Sequence, residues 1–268
     1  MTQTIDKENL ENDASAPHAP SIDPSEIEKF RKMASEWWDP KGKFRPLHKF
    51  NPTRIGFLRK HIVSHFALDG SDRQPLKGLR ILDIGCGGGL VSEPLARLGA
   101  QMVSVDAGEA NIKAAIAHAD QSNLEIDYRV GSVEALIGHE KPFDVVLNLE
   151  VVEHTANPYV FLKDCARLVR PGGLMFVATL NRTPKAFALA IVGAEYILRW
   201  LPPGTHEFEK FLRPDEVRKG ITDGGLVIEN TSGFSYNPLL DSWSVTNDLS
   251  VNYMSVASRP FSNGLTSA

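Results

Sequence analysis

The chain is short of cysteine, of net charge and of long apolar runs, and each shortage removes a class of protein. Among 268 residues only Cys86 and Cys165 are cysteine. One falls in a glycine loop and the other in a predicted helix, so a disulfide framework is excluded and a reducing compartment fits. A formal net charge of -4 gives no general attraction to nucleic-acid phosphates. No apolar stretch reaches the length of a membrane span. The first residues hold Asp6, Glu8, Glu11, Asp13, Asp23 and Glu26 against a single Lys7, which suits neither a secretory signal nor a basic transit peptide. A cytoplasmic, bacterial chain is expected. What remains, 42% hydrophobic and 23% charged, suits one large globular domain burying about 70% of its unfolded surface.

Residues 1–22 are polar and proline-spotted and read as a disordered tail. Order is expected from Asp23-Pro24-Ser25-Glu26, a capping box with proline at the first helical position. The helix that follows carries Phe30, Met33, Ala34, Trp37 and Trp38 as one apolar stripe. Asp39-Pro40-Lys41-Gly42 ends it, and a second helix from Pro52 carries Ile55, Leu58, Ile62 and Phe66. From Leu79 the pattern alternates. Strands are expected at 80–84, 101–106, 126–130, 143–148 and 174–180, separated by helices at 91–98, 109–119, 133–136 and 158–169. Such alternation implies parallel pairing with right-handed crossovers. Residues 182–212 interrupt it before a helix at 214–222 and strands near 226–233 and 252–257. The fold class is therefore α/β, a doubly wound, Rossmann-like sheet with an antiparallel last strand, N-terminal helices and an inserted helical segment. One domain is expected over 23–260, divided into a helical cap (23–78), a cofactor-binding core (79–181), the insertion (182–212) and C-terminal helix and strands (213–260).

Asp83-Ile84-Gly85-Cys86-Gly87-Gly88-Gly89 follows the first strand and opens a helix. Glycines there let a ligand approach main-chain amides without a Cβ in the way. A dinucleotide fingerprint starting at Gly85 needs glycine or alanine at position 90, where Leu90 stands. An acid, Asp83, occupies a position that is usually apolar in dinucleotide strands. Asp106 closes the second strand, placed to take the hydroxyls of a ribose. The stretch resembles the cofactor site of class I methyltransferases. By that resemblance Gly85 and Gly87 line the methionine portion of S-adenosylmethionine and Asp106 binds its ribose.

The fourth strand runs through Asn148 and Leu149 into Glu150-Val151-Val152-Glu153-His154, at the sheet edge that faces the ligand crevice in open α/β folds. If the chain is helical from Leu149, Glu150, Glu153 and His154 share a face. They then either hold a divalent cation such as Mg²⁺ or form a metal-free helix start beside the cofactor. Leu149 is expected to touch the cofactor.

Together with "WWDPKGKFRPLHKFNPTR", "LVRPGG", "TLNRTPKAF", "VGAEYILRWLPPGTH" and "NYM", these motifs make the chain similar to the ubiquinone biosynthesis O-methyltransferases from Ile27 to Ala257. The resemblance implies O-methylation of polyprenylated rings, once on a catechol-type intermediate and once on demethylubiquinol. It also implies cofactor contacts at Arg54, Gly85, Asp106 and Leu149 and a magnesium site at Glu150, Glu153 and His154. Asn148 and Leu149 depart from the Cys and Met often found in relatives, which affects pocket shape alone. Taken without the resemblance, Arg54 reads as a surface arginine, and Trp37 and Trp38 as core or lid packing.

Ala186–Leu201 is apolar but carries Glu195 and Arg199 and is too short to span a bilayer. It suits either the membrane interface, with Tyr196, Trp200 and nearby arginines at the headgroups, or a cover over the pocket. Expected partners are therefore polyprenylated catechols, anionic lipids reached through this segment, and a complex of ubiquinone-biosynthesis enzymes; no nucleic acid is expected. The expected location is the cytoplasm, peripheral on the inner membrane. Transfer requires a base at the ring oxygen. Glu150, Glu153, His154 and His206 are candidates, His206 serving equally as a structural loop residue. The rivals are methylation of carbon or nitrogen in another small molecule, and a non-catalytic cofactor-binding scaffold of a membrane complex.

Overall fold

The computed structural model describes residues 21–189 and 207–261. The tail through residue 20 and residues 190–206, the middle of the insertion with His206, lie outside them. Helix α1 (Pro24–Arg31) starts at Asp23, whose carboxylate accepts from the Ser25 amide at 2.9 Å. The expected capping box is only half made, because Glu26 turns away to partners described below. The expected tryptophan-bearing helix is broken after Arg31, and Ala34–Glu36 forms a separate 3-10 turn. Helix α2 (Arg45–His65) begins before Pro52 and contains it. An interior proline costs about 3 kcal/mol. Burial of Phe50, Phe57, Leu58 and Ile62 on one face of α2, each contributing about 1.5–3 kcal/mol, outweighs that cost.

Five parallel strands follow, β1 (Arg80–Ile84), β2 (Gln101–Asp106), β3 (Asp127–Val130), β4 (Phe143–Leu149) and β5 (Val169–Leu180). Between them lie α3 (Ser92–Arg97), α4 (Glu109–Gln121) and α5 (Pro158–Arg167). Residues 133–136 make turns rather than the expected short helix. After α6 (Pro214–Asp223) come β6 (Val227–Asn237), β7 (Ser242–Thr246) and β8 (Asn252–Ser258). The eight strands lie in the order β3-β2-β1-β4-β5-β8-β6-β7, with β8 antiparallel to both β5 and β6. Strand β7 was not expected from the sequence.

Both faces of the sheet are covered, as a parallel sheet requires. Along β1, Ile81 joins Leu58, Ile62 and Leu95 on one face, while Leu82 and Ile84 join Phe161, Leu162 and Val217 on the other. The strand order reverses between β1 and β4, which opens a crevice beyond their carboxyl ends. The chain is an α/β protein of the doubly wound, mostly parallel kind.

Candidate active site

A cavity of about 750 Å³ occupies that crevice. Its floor is the glycine loop. Gly85 and Gly87 have φ of +69° and +54°, a left-handed backbone that a side chain strains. A Cβ on Gly85 would lie 2.4 Å from Val151, and one on Gly87 would lie 2.4 Å from the Trp37 ring. The loop is therefore pressed between two side chains and exposes main chain to the cavity.

Acids and an arginine surround it. Asp83 is buried and accepts from the Ser92 hydroxyl at 2.6 Å. Burial pushes its carboxyl up to about 6, against the pull of Ser92 and the Arg54 charge. Asp106 accepts from the Gly87 amide at 3.0 Å, the Gly108 amide at 2.7 Å and Asn111 Nδ2 at 3.0 Å, and burial raises its carboxyl despite them. Asn111 Oδ1 in turn accepts from Trp37 Nε1 at 2.9 Å, so the N-terminal segment is tied to the residue expected to take a ribose. Trp37 packs with Met33, Ala34, Phe44 and Leu90, as lid packing. Trp38 stacks on His118 at 3.4 Å and donates to the Gly88 carbonyl at 2.9 Å.

Arg54 is not the surface arginine that its sequence context alone suggests. It projects from α2 into the cavity, only 3% exposed. Its Nε and Nη2 donate to Asn51 Oδ1 at 3.2 and 2.9 Å, and Asn51 Nδ2 donates to the Leu90 carbonyl at 2.6 Å. Burial lowers its proton affinity, and the Glu150 and Asp83 charges offset part of that loss. A guanidinium so placed suits a carboxylate ligand.

The end of β4 differs from expectation. Leu149 is buried and lines the cavity. No helix starts there, because the Glu150 amide still donates to Ala178 O at 2.9 Å, extending the β4–β5 ladder. Glu150 then takes a left-handed backbone, φ +58°, and only Val152–His154 form a 3-10 turn. Glu150, Glu153 and His154 therefore do not share one helical face. Glu150 lines the cavity. Glu153 is buried, its carboxyl pushed well above the usual range by burial and by the Glu150 charge. His154 turns instead to Glu26 of α1, with Nδ1 2.9 Å from Oε2. No three Asp, Glu, His or Cys side chains among the described residues assemble as a metal-binding group. The expected magnesium trio is not gathered as arranged: Glu150 and His154 line the cavity, while Glu153 is buried outside its lining.

Glu26 was legible only as a helix-capping residue; its role depends on contacts across the fold. It lines the cavity and is 4% exposed. Burial alone would raise its carboxyl, but hydrogen bonds from His154, Lys29 and Lys210 overcome this and hold it well below the usual range. A carboxylate can only accept, so His154 Nδ1 carries a proton toward it and Nε2 remains the basic nitrogen. Much of the remaining lining is apolar, with Phe30, Phe50, Leu180, Phe234, Val251 and Trp243 among it.

The sheet order, the glycine loop and the acids beside it define a class I methyltransferase, whose cofactor is S-adenosylmethionine. Residues 82–177 match the family model "Methyltransferase domain". The fold is shared with magnesium protoporphyrin IX methyltransferase from Synechocystis PCC 6803 at a TM-score of 0.61 and 19% identity, over 88% of this chain and 95% of that one. The chain is 61% identical over 251 residues to the ubiquinone biosynthesis O-methyltransferase of Maricaulis maris, covering 92% of this chain and 98% of the relative. It is 59% identical to that of Parvibaculum lavamentivorans, over 89% and 94%. The chain belongs to the ubiquinone biosynthesis O-methyltransferase family.

Proposed function

We propose that the chain transfers the methyl group of S-adenosylmethionine to ring hydroxyls of polyprenylated catechol and demethylubiquinol intermediates in ubiquinone biosynthesis. The observation that carries this reading is one continuous cavity joining a cofactor cradle to an apolar wall, with a carboxylate-oriented imidazole at its edge. Arg54 and Asp83 are assigned to the amino-acid end of the cofactor, Gly85, Gly87 and Leu149 to its middle, and Asp106 to its ribose. Bound there, the cofactor supplies an electrophilic methyl group.

The chain's own residues ready the acceptor. His154 Nε2 takes the proton of the ring hydroxyl, and Glu26 stabilises the imidazolium that forms. Glu153, its carboxyl raised by burial and by the Glu150 charge, does not line the cavity. Glu150, also at the cavity, orients the neighbouring hydroxyl. Aromatic and aliphatic side chains exclude water and hold the ring, and such positioning can supply about 7–11 kcal/mol of the barrier. No step passes through a metal, and His206, the other candidate base, lies outside the described residues.

Among the described residues no helix is long and apolar enough to cross a membrane. Peripheral attachment to the inner membrane, through the segment beginning at Ala186, suits a substrate with an isoprenoid tail. Its first exposed apolar residues are Phe187 and Leu189. Docking with other enzymes of the route, and a boundary between cap, core and insertion near residues 79, 182 and 213, belong to the same proposal. The test is methyl transfer from labelled cofactor to a water-soluble, short-chain catechol by the purified chain. Stoichiometric O-methyl product is expected. Tight cofactor binding without transfer to any ring hydroxyl would favour a non-catalytic scaffold and overturn the proposal.

A further inference from the structure

The β6–β7 hairpin has two unlike parts. Along its strands Phe234, Tyr236 and Trp243 line the cavity, the last two paired one step from the turn. At its tip Leu239 is 94% and Leu240 74% exposed, where turns ordinarily carry polar residues. The tip is well braced. Asn237 Oδ1 accepts from the Leu239 and Leu240 amides at 2.9 and 3.2 Å. The Asp241 carboxylate is held by Lys49 at 2.6 Å and by the Tyr236 hydroxyl. Two adjacent leucines are thus fixed outward beside the cavity.

Cations stand behind them. Lys49 is bonded to the turn itself, and Arg45, exposed on the first turn of α2, acts on the Asp241 charge. An apolar tip with lysine and arginine behind it matches the boundary of an anionic bilayer, acyl chains inside and phosphates outside. The substrate supplies a second reason. A volume of about 750 Å³ is of the size that encloses one drug-sized ligand, and here it must hold both cofactor and ring. A long isoprenoid tail has to leave the cavity, and the hairpin runs from its wall to the apolar tip.

We propose that the β6–β7 turn is a membrane-docking tip. Leu239 and Leu240 enter the acyl boundary of an anionic bilayer, Arg45 meets its headgroups while Lys49 neutralises Asp241 in the turn, and the tail follows the hairpin into the cavity. The tail route rests on the substrate proposed above; the docking itself does not.

The experiment uses the full chain and phosphatidylcholine vesicles with and without phosphatidylglycerol. Wild-type protein is expected to co-sediment with the anionic vesicles. The Leu239→Ser/Leu240→Ser variant should bind them at least about tenfold more weakly, while short-chain catechol turnover and melting temperature stay unchanged. A Leu239→Cys variant gives a second readout, because Cys86 and Cys165 are buried and an environment-sensitive label goes to the tip alone. Its emission should shift to the blue on anionic vesicles and be quenched by a lipid-borne quencher. Undiminished sedimentation of the serine variant, an unresponsive label, or leucines that prove to hold two copies of the chain together would each overturn the proposal. If the wild type methylates no catechol while the label still responds, docking stands and the substrate assignment fails.

Discussion

Replacing Glu26 by Gln changes one charge and almost no volume, at a residue 4% exposed and 2.9 Å from His154 Nδ1. Gln can accept from Nδ1–H through its oxygen or donate to Nδ1 through its amide, so the imidazole is no longer confined to the tautomer with Nε2 free. The imidazolium formed during transfer also loses a charge-assisted partner. Hydrogen bonds to charged groups contribute about 1.5–3 kcal/mol, which corresponds to a kcat lower by about 10- to 100-fold. Affinity for S-adenosylmethionine should hold, because Arg54, Asp83 and Asp106 are untouched. Stability should move less, since Lys29 and Lys210 are about a third exposed and such pairs contribute about 0–1 kcal/mol each. The sign of the pH effect follows from the lowered Glu26 carboxyl. Its stabilisation is complete above the unfolded value of about 4.3 and is lost as pH falls toward the folded value, so the variant should show a flatter acid limb of stability. The assay is labelled methyl transfer to a short-chain catechol, with kcat and KM followed from neutral to alkaline pH. The deficit should narrow at alkaline pH, where the catechol ionises unaided. A variant with wild-type kcat and an unchanged pH profile would refute His154 as the base.

Gly87→Ala forces a side chain onto a left-handed backbone and against Trp37; a loss of about 2–5 kcal/mol in stability, or of cofactor affinity if Trp37 yields, is expected. Thermal unfolding and calorimetric titration check it, and wild-type values in both would contradict the packed loop. Asp83, pushed up to about 6, favours the fold below its unfolded value and costs stability as pH rises through 6, where its buried charge forms. A cationic cofactor offsets that charge, so S-adenosylmethionine should bind more weakly below pH 6, by up to about tenfold per pH unit; equal affinity at about pH 7 and about pH 5 would remove Asp83 from the site.

How much of this was legible in the sequence differs by residue. Strands β1, β2 and β4 and the loop at 83–89 could be read because their constraints are local: doubly buried strands are mostly apolar, and a positive φ calls for glycine. Asp106 could be placed by its position at a strand end. The break after Leu149 could not, because the bond from Glu150 to Ala178 depends on a neighbouring strand and competes with a sequence that suits a helix. Arg54 looked ordinary because nothing within α2 reports that the cavity lies against it. Strand β7 was missed although Asn237-Pro238-Leu239-Leu240-Asp241 carries turn chemistry; its two leucines obscured it. Glu26 gave no local signal beyond its place in a capping box, since its partner lies 128 positions away.

That distance has a consequence for how the site is assembled. Glu26 reaches His154 only while α1 lies over the cavity, and the same segment is held there by Ser21, whose amide donates to Glu134 at 2.8 Å and whose carbonyl accepts from Ala156. At the other end Lys29 bonds Glu207, in the last part of the insertion. The element that excludes water is thus the one that fixes the tautomer of the base. An exposed imidazole with no carboxylate partner would share its proton between both nitrogens and with solvent. The N-terminal helix is therefore part of the catalytic apparatus, and substitutions that detach it should lower kcat even where every cofactor contact survives.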